Sequence, residues 1–439
     1  MTSERKAFSE YLTRAGTPLL TPKGMGDLLP PAAAARRELS HSLVHTFGLA
    51  GYEVVTPPLF EHAAVVEGGN ESIDRRDLLR FVEPESGEVA VLRPDITPQV
   101  ARMVATRLTD YEAPFRLCYE GRVFRRRRGR ARKHQQMAQV GVECIGIETP
   151  AGDVEVMALA SDACQSVGLA NYRIELGEGS IIRTVLSEVP EEAREKATEL
   201  VAMKDGAALD SLAIDSGVPE RTRDHLRLLL EYCGDASILK QARKAFTWEA
   251  AQEALKNLAA IIHRLEQLNL PGQVGVDLSE TRGLAYYTGV SFQVLADGPG
   301  EAICSGGRYD GLLGRFGRDY PATGFALDLA NLQWALRAAG SPFSSSAPAR
   351  LLVVGANELD RELLCRNVRR HGVGATPFKG RFGPRALAFA NSWRYDAVLA
   401  HQPEGLVAIR VSDQSERPVK KIDANSVARL ATWAQAKED

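Results

Sequence analysis

The stretch that most constrains the fold of this chain lies between residues 121 and 146 and reads GRVFRRRRGRARKHQQMAQVGVECIG. Apolar residues alternate with other residues on both sides of an arginine-rich centre, and this pattern predicts a β-hairpin. Because successive side chains on a strand point to opposite faces, Gln139 and Glu143 are expected on one face, with Val140 and Val142 on the other. Two polar groups would then look across an otherwise apolar surface of the sheet.

The predicted tip of this hairpin is strongly basic. Between positions 125 and 133 only Gly129 and Ala131 are neither arginine nor lysine. Such a concentration of charge suits polyanions such as nucleotide phosphates. A solvated turn explains the same charge more simply, so the tip alone does not define a function.

Length, charge and cysteine usage narrow the class of protein. A chain of 439 residues is too long for one compact core and predicts two or three domains. The net charge of −2 gives no global attraction to nucleic acid, so any polyanion site must be local. Six cysteines lie far apart without a C-x-x-C pair, which favours buried free thiols in a reducing compartment over zinc or disulfides.

The histidines show no spacing typical of metal ligands, and no metal is expected. The amino-terminal segment lacks the apolar centre of a signal peptide. No apolar run approaches the roughly 20 residues that a membrane span requires. We therefore expect a cytoplasmic protein.

Composition and periodicity divide the chain into sections. We predict a core over residues 1–340, a helical insertion within it over residues 180–270, and a small α/β domain over residues 348–439 with the order β-α-β-α-β-β-α. The segment Ser341–Ala347 has the composition of a linker. Within the core, strands are predicted at residues 52–56, 88–92, 172–176, 285–295 and 302–305, and a further strand is predicted to end at residue 277. Helices are predicted at residues 32–48, 153–166 and 324–339, and a further helix is predicted to begin at residue 95.

The chain lacks common motifs of nucleotide-binding and acyl-transfer enzymes. It contains no G-x-x-x-x-G-K-S/T phosphate loop, and Pro377 stands where the third glycine of a G-x-G-x-x-G would be. No G-x-S-x-G nucleophile elbow is present. The run GGRYDGLLGRFG could bind phosphate, but glycine-rich runs form turns more often. No bound cofactor is expected.

Several ordered stretches, taken together, resemble the catalytic core of class II aminoacyl-tRNA synthetases, in particular the histidyl-tRNA synthetase family. They are TPKGMGDLLP, GYEVVTPPLFE, LRPDIT, VFRRRRGRARKHQQMAQVGVE, TRGLAYYTGVSF, SGGRYDGLLGRFG and PATGFALDLANL. The resemblance covers about residues 21–339. It implies an α+β fold, with a mixed and mainly antiparallel sheet flanked by helices, that works as a homodimer.

The resemblance also implies a histidine pocket. Position by position, Arg125 matches the arginine that contacts the α-phosphate or carboxylate, and Arg282 matches the family's distinctive catalytic arginine. Carboxylates suit the ammonium group of histidine, arginines suit its carboxylate, and tyrosines can bond to its imidazole. Asp95 and Thr97 also suit helix capping, which is the simpler explanation of that pair alone. The implied histidine-binding residues are Asp95, Thr97, Arg125, Gln139, Glu143, Arg282, Tyr286 and Tyr287.

Departures from the family pattern affect the ATP half of the site. Working synthetases end their third motif in GLERL, whose arginine holds the γ-phosphate, but Asn331 stands at that arginine position and Asp328 at the glycine. A neutral amide cannot replace a guanidinium fork, and a carboxylate repels a triphosphate. Arg127, Ala285 and Gln293 replace three acidic residues of the pattern. Losing such charge partners typically costs several kcal/mol of transition-state stabilisation, so adenylation is expected to be lost.

This combination is similar to the synthetase paralogues that serve as regulatory subunits of short-form ATP phosphoribosyltransferase. The resemblance implies a non-catalytic chain that joins the catalytic chain in a hetero-octamer, activates the first step of histidine biosynthesis and transmits inhibition by L-histidine. Two alternatives remain. The chain could be an active histidine-tRNA ligase or another histidine-adenylating enzyme, or a histidine sensor with a different partner. The carboxy-terminal domain leaves tRNA binding open, although its mixed charges make a nucleic-acid partner an unfavoured interpretation.

Overall fold

The computed structural model describes residues 21–22, 24–69, 75–125, 136–284, 286–341, 343, 348–355, 357–403 and 405–436. Contacts divide the chain into two compact units, with the boundary between residues 344 and 345. Each unit has its own sheet and its own buried apolar residues. The α+β fold class predicted from the sequence is confirmed.

The first unit is built on a large sheet. Within the described residues nine strands are hydrogen-bonded in the order β1-β5-β6-β12-β11-β10-β7-β9-β8, and β2, β4 and β3 form a smaller sheet. The pairs β1–β5 and β7–β9 are parallel, while the other pairs are antiparallel. The strands are β1 (Glu53–Val54), β2 (Phe60–His62), β3 (Arg80–Val82), β4 (Val89–Leu92), β5 (Phe115–Phe124), β6 (Gln136–Ile145), β7 (Arg173–Glu178), β8 (Cys233–Gly234), β9 (Gln273–Asp277), β10 (Val290–Leu295), β11 (Cys304–Arg308) and β12 (Ala322–Asp328).

Helices pack against this sheet. The first carries Leu39, Leu43 and Phe47 on its buried face, as the spacing of these residues predicts. Their side chains belong to the same apolar core as Val140 and Val142 of the hairpin. The helices of the first unit are Ala32–Leu49, Ala63–Gly69, Thr97–Thr106, Ala151–Ser166, Gly179–Ser187, Glu191–Met203, Gly206–Asp215, Glu220–Glu231, Ile238–Ala245, Glu249–Gln267, Gly311–Gly314 and Leu329–Ala338, with a 3-10 turn at Arg75–Asp77.

The β-hairpin predicted between residues 121 and 146 is confirmed by the pairing of its two strands. Strands β5 and β6 pair antiparallel, with Leu117 opposite Glu143 and Gly121 opposite Gln139. Val140 and Val142 lie in the apolar core, whereas Glu143 faces the opposite side of the sheet. The predicted basic tip, including Arg127 and Gly129, lies outside the described residues.

The helical insertion differs from the prediction in one respect. The region is not all-α, because β8 pairs with β9 and places Cys233 opposite Asp277. Its helices also share the core of the sheet, since Ile181, Leu255 and Leu258 belong to the same buried cluster as Phe325 of β12. Cys233 is exposed, so the expectation that all six cysteines are buried is wrong at that position.

Two other predicted elements are corrected by the structure. The segment from Gly324 was expected to be helical, but β12 runs to Asp328 and the helix begins only at Leu329. Pairing with both β6 and β11 outweighs the local helical pattern of this segment. The strand expected from residue 285 begins only at Val290. The preceding residues turn instead, because the backbone N–H groups of Tyr286 and Tyr287 both bond to the Gly283 carbonyl.

The second unit is a small α/β domain. Its strands are β13 (Arg350–Val354), β14 (Gly374–Phe378), β15 (Ala397–Gln402), β16 (Gly405–Arg410) and β17 (Glu416–Pro418), in the sheet order β14-β13-β15-β16-β17. Its helices are Glu358–Arg369, Pro384–Ser392 and Ala424–Gln435. The predicted order omitted only β17, a three-residue strand with no apolar run to reveal it. None of the helices in the described ranges combines the length and apolarity needed to cross a lipid bilayer.

Candidate functional site

A cavity of about 940 Å³ opens on the face of the main sheet opposite the large core. Its walls come from β6, β10, β11 and β12 together with the loops that precede the helix Thr97–Thr106 and strand β10. All of the residues predicted to bind histidine line this cavity, although they come from four separate stretches of the chain. The structure therefore brings the predicted residues together, and their role in binding histidine stays a prediction.

Glu143 occupies the centre of the cavity floor and is 1% exposed. Its Oε1 accepts hydrogen bonds from the Thr97 hydroxyl at 2.6 Å and from the Tyr119 hydroxyl at 3.1 Å, and its Oε2 accepts one from Tyr309. Gly324 on the neighbouring strand makes room for this side chain, because a Cβ there would collide with Glu143 Oε2 and the Val142 carbonyl. The carboxyl group is thus fixed in place by three hydroxyl donors.

The environment of Glu143 alters its acidity. Burial raises the pKa of Glu143 to about 8, and the negative charge of Asp95 acts in the same direction. Hydrogen bonds from Thr97 and Tyr309 oppose this shift but do not cancel it. A cation bound in the cavity would favour the ionised carboxylate, so proton release and binding of a cationic ligand are linked at this residue.

Asp95 and Arg125 form the rim beside Glu143. Asp95 Oδ1 accepts a hydrogen bond from the backbone N–H of Ile96 at 2.8 Å, and its Oδ2 lies 3.3 Å from Arg125 Nη2. Arg125 also donates through Nε to the Pro94 carbonyl. The capping interpretation of Asp95 and Thr97 is wrong, because the N-cap of this helix is Ile96 and no side chain caps it. One Asp95 oxygen bonds to the backbone just before the helix, and the other faces the guanidinium of Arg125.

The tyrosines form an aromatic wall with unsatisfied polar atoms. The ring of Tyr286 stacks on Tyr309 with centroids 5.3 Å apart and meets Tyr287 edge-on at 5.2 Å. Among the described residues, Tyr286 Oη and Gln139 Oε1 are buried without a hydrogen-bond partner. Buried polar atoms nearly always find partners, so these two atoms are available to a polar ligand. Gly283, with φ of +69°, permits the turn beneath Tyr287.

Arg282 lies at the other end of the cavity and has little negative charge to balance it. Its Nη1 donates to Gln293 Oε1 at 2.5 Å, and Gln293 in turn donates to Glu280. Burial raises the pKa of Glu280, while the backbone N–H and the charge of Arg282 act in the opposite direction. Arg282 therefore bonds to the neutral amide of Gln293, which stands where the family pattern has a glutamate. The Arg282 side chain is exposed and could bind a ligand carboxylate.

The two residues that depart from the family pattern in the third motif make structural contacts. Asp328 caps the helix Leu329–Ala338 by accepting from the backbone N–H groups of Ala330 at 2.8 Å and Asn331 at 3.1 Å. Asn331 is 2% exposed, and its Nδ2 donates to the Ala302 carbonyl at 2.9 Å. Both residues that replace the expected glycine and arginine are thus engaged in holding the helix against the sheet.

Sequence reasoning missed several residues that shape the site. Tyr119 and Tyr309 donate to Glu143, and no local pattern revealed them, although Tyr309 lies within the quoted GGRYDG run. Arg308 is 4% exposed and forms a buried ion pair with Asp153 at 3.0 Å beneath the cavity. Such pairs are recognisable only when strands and helices distant in sequence are placed side by side.

One group of side chains outside the cavity has the composition of a metal site. Ligand atoms of Glu175, Cys233 and Asp277 lie within 4.8 Å of one another. Lys204 Nζ already contacts Asp277 at 2.7 Å, and Arg173 lies 3.3 Å from Glu175. Two cations therefore neutralise the carboxylates, which makes this group an ion-pair network rather than a strong candidate metal centre.

Comparison with known proteins gives the class and then the family. A family description of histidyl-tRNA synthetase matches residues 24–332. The solved histidyl-tRNA synthetase from Nostoc sp. PCC 7120 superimposes with a TM-score of 0.77 at 18% identity, over 94% of this chain and 99% of that one. A structure described as an ATP phosphoribosyltransferase regulatory subunit/histidyl-tRNA synthetase from Bacillus halodurans gives a TM-score of 0.74 at 26% identity, over 85% of this chain and 96% of that one. Fold and site together define a protein of the class II aminoacyl-tRNA synthetase type.

Relatives with higher sequence identity identify the family within this class. The ATP phosphoribosyltransferase regulatory subunit of Syntrophotalea carbinolica is 34% identical over 91% of this chain and 95% of its own length. The corresponding subunit of Moorella thermoacetica is 38% identical over 81% of this chain and 91% of its own length. The chain belongs to the ATP phosphoribosyltransferase regulatory subunit family, whose members share the histidyl-tRNA synthetase fold.

Proposed function

We propose that this chain is the non-catalytic regulatory subunit of a short-form ATP phosphoribosyltransferase, in the first step of L-histidine biosynthesis. The observation that carries this proposal is the contrast between two halves of one cavity, one around Glu143 and the other around Asp328 and Asn331. The half around Glu143 keeps fixed carboxylates and unsatisfied polar atoms, whereas Asp328 and Asn331 in the other half are engaged in structure. The relatives that match most of the chain carry the same name.

The first half of the cavity suits free L-histidine. Glu143 and Asp95 offer carboxylate oxygens to an ammonium group, and Arg125 and Arg282 offer guanidinium groups to a carboxylate. Tyr286 Oη and Gln139 Oε1 supply the polar contacts that an imidazole requires. The eight residues predicted from the sequence are accordingly proposed as the histidine site.

The second half is poorly suited to a triphosphate. The carboxylate of Asp328 would repel the phosphates, and the amide of Asn331 supplies no positive charge. Adenylation needs preorganised positive charge where negative charge develops, and losing it typically lowers the rate by orders of magnitude. This loss favours a regulatory role over an active histidine-tRNA ligase.

Regulation requires that histidine bind one state of the complex better than the other. A difference of about 1–3 kcal/mol is typical of such coupling. We propose that the chain forms a homodimer, that dimers combine with catalytic chains in a hetero-octamer, and that histidine shifts the assembly toward its inhibited state. A cytoplasmic location fits a subunit of a biosynthetic enzyme.

Reconstitution with the short catalytic chain from the same organism tests this function. Addition of the protein is expected to stimulate formation of phosphoribosyl-ATP from ATP and phosphoribosyl pyrophosphate, and L-histidine is expected to inhibit the complex. The absence of stimulation, with histidine binding intact, would point to a sensor with another partner. Histidine-dependent exchange of pyrophosphate into ATP by the protein alone would instead identify a ligase.

A further inference from the structure

Arg183 is one of the residues that line the cavity, and it makes an unusual set of contacts there. It lies on the helix Gly179–Ser187, at the beginning of the helical insertion. Its Nη1 donates to the backbone carbonyls of Leu284 at 2.8 Å and Tyr287 at 2.7 Å, and its Nη2 donates to that of Thr288 at 3.2 Å. One guanidinium group therefore holds three carbonyls of the loop that precedes β10.

This loop carries Tyr286 and Tyr287, which form the aromatic wall of the cavity. Its turn begins at Gly283, where a Cβ would lie 2.6 Å from the ring of Tyr287. At the far end, the backbone N–H of Thr288 bonds to the Arg308 carbonyl of β11 at 2.7 Å. Between Gly283 and Thr288, the positions of the two tyrosine rings depend on where the loop carbonyls are held.

On its other side, Arg183 is anchored in the root of the insertion. Ile181, Ile182 and Val185 of the same helix are buried in the main core. Gly179 leaves room for the guanidinium, since a Cβ there would lie 2.9 Å from Arg183 Nη1. Glu178 caps the helix through its bond to Ser180. The helix that carries Arg183 is therefore anchored in the main core independently of the loop.

We propose that Arg183 is a positioning residue that holds the Tyr286–Tyr287 loop in its ligand-binding conformation and links this loop to the helical insertion. The guanidinium is a planar fork that reaches several carbonyls at once, which a lysine cannot do. A ligand that moves the tyrosines must move the loop carbonyls, and Arg183 carries that displacement into the helix Gly179–Ser187. This inference rests on histidine binding as proposed above.

Arg194 provides a matched control within the same chain. It also binds three carbonyls with one guanidinium, those of Leu186 at 3.1 Å, Ser187 at 3.3 Å and Val189 at 3.1 Å. Two of these carbonyls lie at the end of the helix Gly179–Ser187 and the third in the turn that follows, and none of the three residues lines the cavity. Arg183→Met and Arg194→Met therefore remove the same kind of contact at different places.

The experiment measures histidine affinity by calorimetry and amide exchange across residues 281–290 by mass spectrometry, on the full chain. Arg183→Met is expected to weaken histidine binding about tenfold or more and to accelerate exchange in that loop, because charge-assisted hydrogen bonds to it are lost. Arg194→Met is expected to keep wild-type affinity and wild-type exchange in the loop. Arg183→Lys, which keeps the charge without the fork, is expected to weaken binding as well.

The outcomes separate this inference from the proposed function. If the wild-type protein does not bind histidine, the proposed function fails. If the wild type binds and Arg183→Met binds equally well, or Arg194→Met is weakened as much, the positioning role is refuted. If Arg183→Met does not fold, the lysine variant decides: wild-type affinity refutes the role, and weaker binding with faster loop exchange supports it.

Discussion

At the scale of single residues, the properties of the cavity depend on a carboxyl group that water does not reach. Glu143 is buried, accepts hydrogen bonds from Thr97, Tyr119 and Tyr309, and has a pKa raised to about 8. An amino acid that brings its ammonium group to this carboxylate replaces the missing solvation with a charge-assisted hydrogen bond. We therefore expect Glu143 to respond both to an ammonium ligand and to pH.

Glu143→Gln is expected to weaken histidine binding by about tenfold or more, because a neutral amide cannot balance an ammonium group. The fold should be retained, since the amide is similar in shape. Calorimetric titration with L-histidine measures the change. Glu61→Gln is the matched control, because Glu61 is another buried carboxylate, paired with Arg102 at 2.8 Å outside the cavity. Unchanged affinity in Glu143→Gln would remove this residue from the histidine site.

Histidine binding is expected to release protons near neutral pH. Burial raises the pKa of Glu143 to about 8, so part of the free protein is expected to carry a protonated Glu143 near neutral pH. An ammonium ligand favours the ionised form, so binding should release up to one proton per site, and affinity should rise as pH increases toward 8. Calorimetry in buffers with different ionisation enthalpies measures this release. Glu143→Gln should abolish it, and a release that persists in this variant would assign the proton to another group.

At the scale of elements, the floor of the cavity depends on close contact between β6 and β12. Gly324 lies opposite Glu143 in this pair. A side chain at residue 324 would collide both with Glu143 Oε2 and with the Val142 carbonyl. The second collision involves backbone, which cannot move away as a side chain end can. The two strands can therefore approach at this point only with glycine.

Gly324→Ala is expected to lower the free energy of unfolding by about 1–3 kcal/mol, the usual cost of overpacking, and to displace Glu143. The affinity for histidine should also fall, because Glu143 is displaced. Denaturant unfolding and calorimetry measure the two effects. Gly300→Ala serves as the control, because a Cβ at residue 300 meets no atom within 4 Å. Equal stability in both variants would show that the strands adjust more freely than their spacing indicates.

The hairpin β5–β6 illustrates what the sequence predicts well. Its alternation assigned Val140 and Val142 to the core and Glu143 to the opposite face, and local periodicity alone was sufficient for this assignment. The resemblance to a family then placed Asp95 and Arg282 at the same cavity, although they are distant in sequence. Local pattern and ordered motifs together therefore predicted the fold class and the residues around the site.

Elements decided by tertiary contacts were less predictable. The segment from Gly324 was expected to be helical, but it continues β12 as far as Asp328, and the helix begins only at Leu329. Its two flanking strands determine its extended conformation. The loop before β10 was expected to be a strand, but Arg183 binds its carbonyls from a helix far away in sequence. Neither effect is encoded in the segment itself.

At the scale of the whole molecule, the smaller sheet of the first unit presents apolar side chains to solvent. Phe60 is 46% exposed, Phe81 is 37% exposed, and their rings meet edge-on at 5.4 Å. Val82 and Val89 are exposed beside them. Contiguous apolar surface of this kind commonly marks an association surface. It supports the proposed self-association of the chain.

Phe81→Glu is expected to weaken self-association by roughly tenfold or more, because it places a charge within an apolar contact. Sedimentation equilibrium measures the dissociation constant of the dimer. Met203→Glu is the control, since Met203 is an apolar residue of the helical insertion that is 71% exposed and lies outside the smaller sheet. If both variants associate like the wild type, the dimer uses another surface.

The contacts of Asp328 and Asn331 also have a consequence for redesign of the cavity. Glycine at residue 328 would remove the side-chain cap at a cost of roughly a few tenths of a kcal/mol, and arginine at residue 331 would lose the bond to the Ala302 carbonyl and place a charge in a packed interior. We expect both substitutions to lower the free energy of unfolding, the second more than the first. Introduction of a phosphate-binding arginine at residue 331 would therefore require compensating changes around the helix Leu329–Ala338.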